Sequence, residues 1–358
     1  MKIALYSPYL DTYGGGEKYM MTIAEVLSEE HDVNVLLDAH LVSLGSDKIS
    51  RTLSERFNLK MDKVKFIRAP IGKNSIFFQR LIFLKKYDLL FYLTDGSIFY
   101  PSAKKNILHI QSPIKGQPSQ SLWGGFKLKG WGLIIYNSNF TRENSQKNWP
   151  ISSKVIYPPI DTDQIKPLQK KKYILSVGRF FGFLKDKKHE SLIKAFKDLY
   201  KNKQLAQWSL YLVGSASDGD LPYIQQLQKM AKGLPIKFYP NLDYKNLITL
   251  YGESSIYWHA AGYGEKDPNK MEHFGISTVE AMAGGCIPIV INRGGQPEII
   301  ENKENGYLWD QIDQLKQYTI DIIKDGEKRK KISKKAIERS KIFSKNKFKE
   351  EILKVCKI

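Results

Sequence analysis

The chain has 358 residues, of which 42% are hydrophobic and 12% aromatic, and its formal net charge is +19. This length exceeds what one hydrophobic core usually serves, and the composition excludes a disordered or low-complexity protein, so we expect two globular domains. Its two cysteines, Cys286 and Cys356, give neither a disulfide framework nor a metal-ligand spacing. No apolar run approaches the ~20 residues that cross a bilayer, and the first apolar stretch is too short for a signal peptide. We therefore expect reduced thiols in a cytoplasmic protein.

The first half of the chain alternates short apolar runs with helical segments. Residues 3–6 predict a strand, Gly14 to Gly16 a turn, and the spacing of residues 19–27 a helix. Further strands are predicted at residues 33–37, 64–67, 89–93, 107–110 and 133–136. Strands that alternate with helices predict parallel βαβ units.

A polar, lysine-rich stretch after Pro158 and Pro159 predicts a linker up to residue 172, after which the pattern restarts. Strands are predicted at residues 173–177, 209–213, 236–239, 255–258 and 287–291, and helices at 189–200, 223–231 and 346–357. The sequence thus predicts two successive doubly wound α/β domains. Because ligands bind beyond the carboxyl ends of parallel strands, two such sheets facing each other would form a cleft with both binding edges inward.

Two glycine-containing loops could bind an anion. Gly14-Gly15-Gly16 lies between a strand and a helix, where it could bring the backbone close to a ligand or form a plain tight turn. Gly178-Arg179 follows a strand and is soon followed by Lys185, Lys187 and Lys188. These cations could neutralise a diphosphate, or the lysines could belong to a basic surface loop.

The segment from Glu272 to Val290 gives the strongest signal. Two glutamates, Glu272 and Glu280, lie eight positions apart on either side of a glycine turn and a predicted helix start. Ser277 is the predicted N-cap, and Glu280 could complete a capping box with it, which is the structural alternative to a ligand-binding role. A helix N-terminus at this point offers free backbone N–H groups to a phosphate. The pair Gly294-Gly295, which follows the next strand, could face a ligand or form a turn.

The glutamate pair in this setting resembles the EX7E motif of retaining GT-B glycosyltransferases, in particular glycosyltransferase family 4. The resemblance covers nearly the whole chain and includes, in the family's order, the glycine loop at 14–16, Asn137 to Thr141, Tyr157 to Asp161, Ser176 to Phe180 and the glutamate motif. The family usually has a short Pro-Glu-Lys-Gly turn after the arginine. Here a longer segment, residues 181–189, replaces that turn and leaves three candidate phosphate ligands, Lys185, Lys187 and Lys188, of which the alignment of His189 favours Lys187.

The resemblance implies a GT-B fold with a first domain at 1–165, a nucleotide-sugar-binding domain at 166–342 and a terminal helix at 343–358 that crosses back to the first domain. It implies that Glu280 holds the ribose hydroxyls and that Glu272 contacts the donor sugar, beside backbone groups of Phe274, Gly275, Ile276 and Ser277. Arg179 and Lys187, next to Gly178, would bind the diphosphate as it leaves. Gly15 and Gly16 would approach the donor from the first domain. His109 matches a position near the reacting sugar in some members, although a lone histidine is often structural.

The same resemblance implies retention at the anomeric carbon and no metal or other cofactor. The version Glu272-His273-Phe274-Gly275-Ile276 is similar to that of mannosyltransferases that extend lipid-linked oligosaccharides, which favours GDP-mannose as donor over a UDP-hexose. A sugar-nucleotide epimerase or a phosphorylase of the same architecture is the alternative. A nucleic-acid-binding protein would explain the charge but leave the glutamate pair without a role, and we expect no nucleic-acid partner.

Two segments suggest an acceptor at a membrane surface. Residues 76–86 combine a broad apolar face with basic residues, and residues 123–131 place aromatic residues beside lysines. Such surfaces can lie among anionic headgroups. The alternatives are a buried helix for the first segment and an ordinary loop for the second. The membrane interpretation predicts a peripheral enzyme that acts on a glycan or lipid-linked acceptor.

Overall fold

The computed structural model describes residues 1–73, 75–116, 118 and 121–357. It divides into two compact units. Unit 1 comprises residues 1–159 with the C-terminal residues from Asn346 on, and unit 2 comprises Ile160–Lys345. The predicted domain boundaries at 165/166 and 342/343 lie a few residues from these divisions.

Unit 1 contains a parallel sheet in the order β3-β2-β1-β4-β5-β6-β7. Its strands are β1 (Lys2–Tyr6), β2 (Asp32–Leu37), β3 (Val64–Arg68), β4 (Leu89–Leu93), β5 (Lys105–Ile110), β6 (Leu133–Tyr136) and β7 (Ser153–Val155). Its helices before residue 159 are α1 (Gly15–Leu27), α2 (Ala39–Ser43), α3 (Ser46–Phe57), α4 (Phe77–Leu84), α5 (Leu122–Lys129) and α6 (Asn139–Ser145).

Central strands of unit 1 such as β4 and β6 are apolar without interruption because both faces of the sheet are covered. Along β1, Ile3 and Leu5 enter one core cluster, which includes residues of α1 and α3. Ala4 and Tyr6 enter the other, which includes Leu84 of α4 and Leu128 of α5. Side chains alternate between the faces of a strand, so a strand covered on both sides shows a continuous apolar run.

Unit 2 contains a second parallel sheet, in the order β10-β9-β8-β11-β12-β13. Its strands are β8 (Lys171–Val177), β9 (Ser209–Gly214), β10 (Ile236–Pro240), β11 (Ser254–His259), β12 (Ile287–Ile291) and β13 (Tyr307–Trp309). Its helices are α7 (His189–Lys201), α8 (Leu221–Met230), α9 (Tyr244–Glu253), α10 (Ile276–Ala283), α11 (Gln296–Ile299), α12 (Ile312–Lys324) and α13 (Gly326–Ser340). The first strand of each unit, β1 or β8, lies between the second and the fourth, which is the doubly wound arrangement.

The terminal helix α14 (Lys345–Cys356) packs against unit 1. The ring of Phe348 meets Tyr19 edge to face at 4.8 Å, and Ile352 is fully buried in the same core cluster. At its surface, Glu351 forms an ion pair with Lys154 at 2.6 Å. Its buried positions repeat at helical spacing, as the amphipathic pattern predicts.

All predicted strands and named helices are present, with ends within a few residues of the prediction. The prediction missed β7 and β13, which have three residues each, and helices such as α13. Helix α13 is mostly charged and buries three residues, Ile332, Ala336 and Ser340, so its apolar periodicity is weak. The expected linker is ordered in part, because Ile160 and Ile165 are buried.

Candidate active site

The site in unit 2 forms where the sheet changes direction. Strands β8 and β11 are neighbours, and the chain leaves them toward opposite sides of the sheet order. Gly178 and Arg179 directly follow β8, and His259 is the last residue of β11. The carboxyl ends at such a switch point form a crevice that the two diverging connections leave open.

Glu272 lies at this point and binds two partners through one oxygen. Its Oε2 lies 2.8 Å from Nζ of Lys187 and 3.2 Å from Nε2 of His259. About a fifth of the Glu272 side chain and of the Lys187 side chain remains exposed, whereas His259 is buried. The second carboxylate oxygen, Oε1, is left for another donor.

The two charges of this pair stabilise each other. Burial alone would raise the pKa of the Glu272 carboxyl, but the charge of Lys187 and the hydrogen bond from His259 outweigh it, so the pKa lies well below its ordinary value. Burial likewise lowers the pKa of the Lys187 amine, yet the charges of Glu272 and Asp186 outweigh it and raise the pKa. Both groups are therefore ionised at neutral pH.

Three glycines allow the backbone and the Lys187 stem to pack this closely. A Cβ on Gly178 would lie 2.7 Å from Cγ of Lys187, and a Cβ on Gly294 would lie 2.1 Å from the carbonyl oxygen of Glu272. Gly294 also has a φ of +64°, and Gly295 donates its N–H to the Glu272 carbonyl at 2.8 Å. The pair Gly294-Gly295 thus supports the Glu272 loop. Of the two interpretations of this pair, a glycine pair that faces a ligand or a turn, the structure favours the turn, which packs against the site.

Helix α10 begins one turn beyond Glu272. Its N-cap is Gly275, with a φ of +125°, so the prediction of Ser277 as N-cap is wrong. The Ser277 hydroxyl instead lies 2.8 Å from the Tyr257 hydroxyl, which also donates to the Val177 carbonyl. The first N–H groups of the helix, at Ile276 and Ser277, have no partner within the helix by its geometry.

Glu280 lies on the second turn of α10 and is largely buried. Its Oε2 accepts a hydrogen bond from the Tyr251 hydroxyl at 2.9 Å. Burial and the Glu280 charge raise the pKa of Tyr251 far above its ordinary value, which keeps this hydroxyl protonated and donating. The capping box with Ser277 is therefore not formed, and Tyr251 orients the carboxylate.

The basic residues after β8 have different environments. Each of the three lysines binds its own carboxylate: Lys185 binds Glu190 at 3.2 Å, Lys188 binds Glu265 at 2.5 Å and Lys187 binds Glu272 at 2.8 Å. Of the three, Lys187 is the one joined to the glutamate motif. The exposed guanidinium of Arg179 forms no ion pair with any residue that the structure describes.

The predicted site residues of unit 1 are more enclosed. Gly16 is buried, and a Cβ there would lie 2.1 Å from the side chain of Gln111, whereas Gly15 is exposed at the start of α1. The loop is closed by Glu17, whose Oε2 accepts the N–H of Gly14 at 2.8 Å. Gly16 therefore has a packing role, and the approach of the loop to a donor stays a prediction.

His109 on β5 is fully buried. Its ring stacks on Tyr19 with centroids 3.9 Å apart, and Nδ1 lies 3.1 Å from the Ile135 carbonyl. Burial lowers the pKa of His109 to about 3, so the ring is neutral at ordinary pH, and Nε2 has no hydrogen-bond partner among the described residues. This burial favours the structural interpretation, and a role at the reacting sugar stays a prediction.

Sequence reasoning missed His259 and Tyr251, the partners of the two glutamates. His259 could have been sought from the fold, since it directly follows the strand predicted at residues 255–258, at the carboxyl edge of the sheet. Tyr251 comes from α9, which the apolar pattern did not predict.

Comparison with known proteins agrees with this geometry. The sequence model of the family described as glycosyl transferases group 1 matches residues 160–339, just over half of the chain. The chain belongs to the group 1 glycosyl transferases. The predicted enzyme class, a glycosyltransferase, is thereby confirmed.

Similar curated proteins include a eukaryotic mannosyltransferase and a bacterial protein that matches over most of its length. The GDP-Man:Man(3)GlcNAc(2)-PP-Dol alpha-1,2-mannosyltransferase of Dictyostelium discoideum is 28% identical over 63% of this chain and 47% of its own length. Spore coat protein SA of Bacillus subtilis is 29% identical over 93% of both chains. This glycosyltransferase thus spans about half the length, or less, of the Dictyostelium discoideum and Xenopus laevis mannosyltransferases that it matches.

Solved structures share the fold of the whole chain. Alr3699/HepE of Anabaena in complex with UDP has a TM-score of 0.72 at 18% identity, with 99% of each chain covered. The predicted fold class, a GT-B enzyme with two Rossmann-like parallel-sheet units, is confirmed. Within the part of this glycosyltransferase that the structure describes, no helix has the length and apolar character needed to span a membrane.

Proposed function

We propose that this glycosyltransferase moves a hexose from a nucleotide sugar to a glycan or lipid-linked acceptor, with retention of the anomeric configuration and without a metal. The observation that carries the proposal is the cluster at the unit 2 switch point, where Glu272 and Lys187 form a largely buried ion pair beside Arg179. A carboxylate for sugar hydroxyls and two cations for a diphosphate are what a nucleotide-sugar site needs.

The geometry assigns each group a task. Glu272 has Oε2 bound by Lys187 and His259, so Oε1 can accept a hydroxyl of the donor sugar. Glu280, held by Tyr251, would accept the ribose hydroxyls. The diphosphate would lie on the N-terminus of α10, at Gly275 to Ser277, where free N–H groups and the helix dipole favour an anion.

In the reaction, the bond between the anomeric carbon and the diphosphate oxygen breaks while the acceptor oxygen bonds to the same face of that carbon. The acceptor proton passes to the departing phosphate oxygen. Arg179, which lacks a carboxylate partner among the described residues, and Lys187 would neutralise the charge that develops on that phosphate. Because these two cations supply the neutralisation, we expect activity without a divalent metal.

GDP-mannose is the favoured donor. The similarity to the mannosyltransferases, at 28% identity, supports it beside the Glu272 to Ile276 motif. A UDP-hexose is the second candidate, because solved structures of the same fold include a complex with UDP.

A membrane-proximal acceptor is supported by an apolar surface on unit 1. Helix α4 buries one residue, Leu84, and α5 buries one, Leu128. The exposed large apolar side chains of these helices and of Ile76, which precedes α4, form what we call the apolar surface: Ile76, Phe77, Phe78, Ile82, Leu122, Trp123 and Phe126. Phe78 is 72% exposed, Ile82 67% and Trp123 76%, which excludes the alternative of a buried helix.

The two helices form one surface because a shared segment lies between them. The Arg80 guanidinium of α4 lies 5.1 Å from the Phe99 ring, and the next residue, Tyr100, stacks on Phe126 of α5 at 4.6 Å. Lysines at 85, 86, 127 and 129 flank the apolar side chains. Apolar groups surrounded by cations are suited to anionic headgroups, so we propose peripheral attachment to the cytoplasmic side of a membrane.

The test is a reaction of the purified protein with GDP-mannose, and in parallel with UDP-hexoses, in excess EDTA. The expected result is selective thermal stabilisation by GDP and GDP-mannose and a product whose anomeric configuration, read from its NMR coupling constants, matches that of the donor. Stabilisation by UDP compounds alone would replace the donor, and an inverted product or a strict metal requirement would overturn the mechanism.

A further inference from the structure

A cavity lies at the carboxyl edge of the unit 1 sheet, at the ends of β2 and β3. Its volume is about 710 Å³, which lies in the range of small-molecule sites, and we call it the edge pocket. Asp38, directly after β2, and Arg68, the last residue of β3, line it. Lys73, Ser75, Ile76 and Gln79 form the side toward α4. No residue of the edge pocket has a task in the proposed donor site.

The edge pocket has a firm wall. The loop after β3 is held by the N–H of Ala69, which donates to Leu37 at 2.9 Å, and by the Ser75 hydroxyl, which donates to Gly72 at 3.0 Å. Gly72 has a φ of +94°, and a Cβ there would lie 2.8 Å from Cβ of Asp38. Only glycine combines this backbone conformation with so close an approach to Asp38. Gly72 therefore favours a loop conformation in which the pocket is preformed.

The edge pocket also has an excess of positive charge. Its carboxylate, Asp38, already accepts the N–H of Leu41 and the hydroxyl of Tyr6, both at 3.0 Å. Burial and the charge of Asp38 raise the pKa of Tyr6, which keeps that hydroxyl a donor. Arg68 and Lys73 form no ion pair with any residue in the described ranges. Both side chains are exposed and line the pocket.

The edge pocket opens beside the apolar surface. Ile76, which is 58% exposed, belongs to both, and Gln79 of α4 lines the pocket one turn before Ile82. A guanidinium and an ammonium next to amide and hydroxyl groups are suited to a phosphate. Exposed aliphatic and aromatic groups at the rim are suited to a hydrocarbon chain.

We propose that the edge pocket binds the phosphate of an amphiphilic acceptor while α4 holds the start of its hydrocarbon chain. The inference rests on the proposed function, because it names the class of acceptor that the transferase uses: a lipid phosphate that carries the sugar to be extended. Arg68 and Lys73 are the recognition residues, and the apolar surface brings the lipid to them.

The experiment titrates the full-length protein with dodecyl phosphate and with dodecyl glucoside, both below their critical micelle concentrations. These amphiphiles share the chain and differ in the anion. We expect dodecyl phosphate to bind about tenfold more tightly, and the double variant Arg68→Gln/Lys73→Gln to remove that difference. The matched control is Arg51→Gln/Lys63→Gln, which removes the same charge at exposed positions of unit 1 outside the pocket and leaves the difference intact.

Equal affinity for the two amphiphiles, or a difference that survives in the double variant, would overturn the proposal. Inorganic phosphate that binds as tightly as dodecyl phosphate would show a site for a soluble anion and would also overturn it. In transfer assays, the double variant should raise the KM for a phosphate-bearing lipid acceptor about tenfold and leave the thermal shift with the nucleotide sugar unchanged. A wild-type protein without any nucleotide-induced shift would instead overturn the proposed function, and with it the acceptor role of the pocket.

Discussion

The two units have the same order of their first four strands but use the switch point differently. In unit 2, β8 and β11 end beside a charged cluster in which Glu272 binds Lys187 and His259. In unit 1, the loop after β1 is closed by the buried Glu17 and by the contact of Gly16 with Gln111. The shared topology places a carboxyl edge of the sheet at the switch point of each unit. The side chains at that edge decide whether it forms a charged site, as in unit 2, or a packed turn, as in unit 1.

In unit 1, the pocket and the exposed apolar side chains belong to segments other than the loop after β1. Its edge pocket lies at β2 and β3, and its apolar surface lies on α4 and α5, one face of the sheet. Unit 2 therefore has the chemistry expected for the donor, and unit 1 has the surfaces expected for an amphiphilic acceptor. Three predictions test this division of tasks, and a fourth compares the acid stability of the two units.

The largest effect is expected for Glu272→Gln. The amide cannot neutralise Lys187 and accepts the sugar hydroxyl less strongly, so kcat/KM should fall ~100-fold. The control is Glu265→Gln, which breaks the comparable pair with Lys188 and should leave kcat/KM within about twofold. Steady-state kinetics with the preferred donor measure both. Equal losses in the two variants would show that the charge pairs act only on stability.

The apolar surface should be required for membrane binding and not for donor binding. Phe78→Asp, Ile82→Asp and Trp123→Asp each remove roughly 1 kcal/mol of lipid contact, so the triple variant should bind anionic vesicles ~100-fold more weakly. Leu44→Asp with Ile342→Asp, at exposed apolar positions outside the surface, serves as control. Vesicle sedimentation measures the partition. Unchanged binding of the triple variant would contradict the assignment.

Glu280→Gln tests the nucleotide side of unit 2. Loss of a charged acceptor for the ribose hydroxyls should raise the Kd of the nucleotide about tenfold. Tyr251→Phe keeps the carboxylate and removes its donor, so it should raise the Kd less. Calorimetric titration with GDP and UDP distinguishes the two. If Glu280→Gln binds as the wild type does, Glu280 is a structural residue.

The smallest effect concerns acid stability, in which one buried histidine of each unit takes part. Burial lowers the pKa of His109 in unit 1 to about 3, and burial with the Lys187 charge lowers that of His189 in unit 2 to about 4. The ordinary value is 6.5, so between these values the unfolded chain binds the proton and the folded chain does not. Stability should therefore fall as pH falls below about 6.5, by up to ~1.4 kcal/mol per pH unit for each histidine.

Urea unfolding at pH 7, 6 and 5 measures this slope. His109→Phe and His189→Phe should each flatten it, whereas Tyr251→Phe, which changes no group that titrates in this range, should not. If neither histidine variant changes the slope of the free energy of unfolding against pH, other groups dominate the loss of stability in acid.

Much of the fold was predictable, and the reason lies in particular elements. Apolar runs such as residues 89–93 and 287–291 are buried on both faces, so the pattern by itself indicates parallel strands. Helix α13 was not predicted because only three of its 15 residues are buried. Most of its residues are charged and face solvent, so the apolar periodicity that indicates a helix is weak. In the site, the glutamate spacing and Arg179 were visible in the sequence.

Other parts of the site could not be predicted, because they depend on contacts between distant segments. The resemblance favoured Lys187 among the three lysines, but its ion pair with Glu272 joins residues 85 positions apart, and the burial of His109 depends on Tyr19, 90 positions earlier. The N-cap of α10 is Gly275 and not the predicted Ser277, and the backbone before it packs against the Gly294-Gly295 turn, about 20 positions later.

By itself, then, the sequence determined the two doubly wound units and the order of the site motifs, since alternating apolar runs and glycine turns are local properties of the chain. The tertiary structure decided which carboxylate each cation binds, which predicted residues are buried and which apolar helix faces reach solvent. These depend on distances and burial, and in a parallel sheet neighbouring strands come from segments far apart in the chain, so no local pattern contains them.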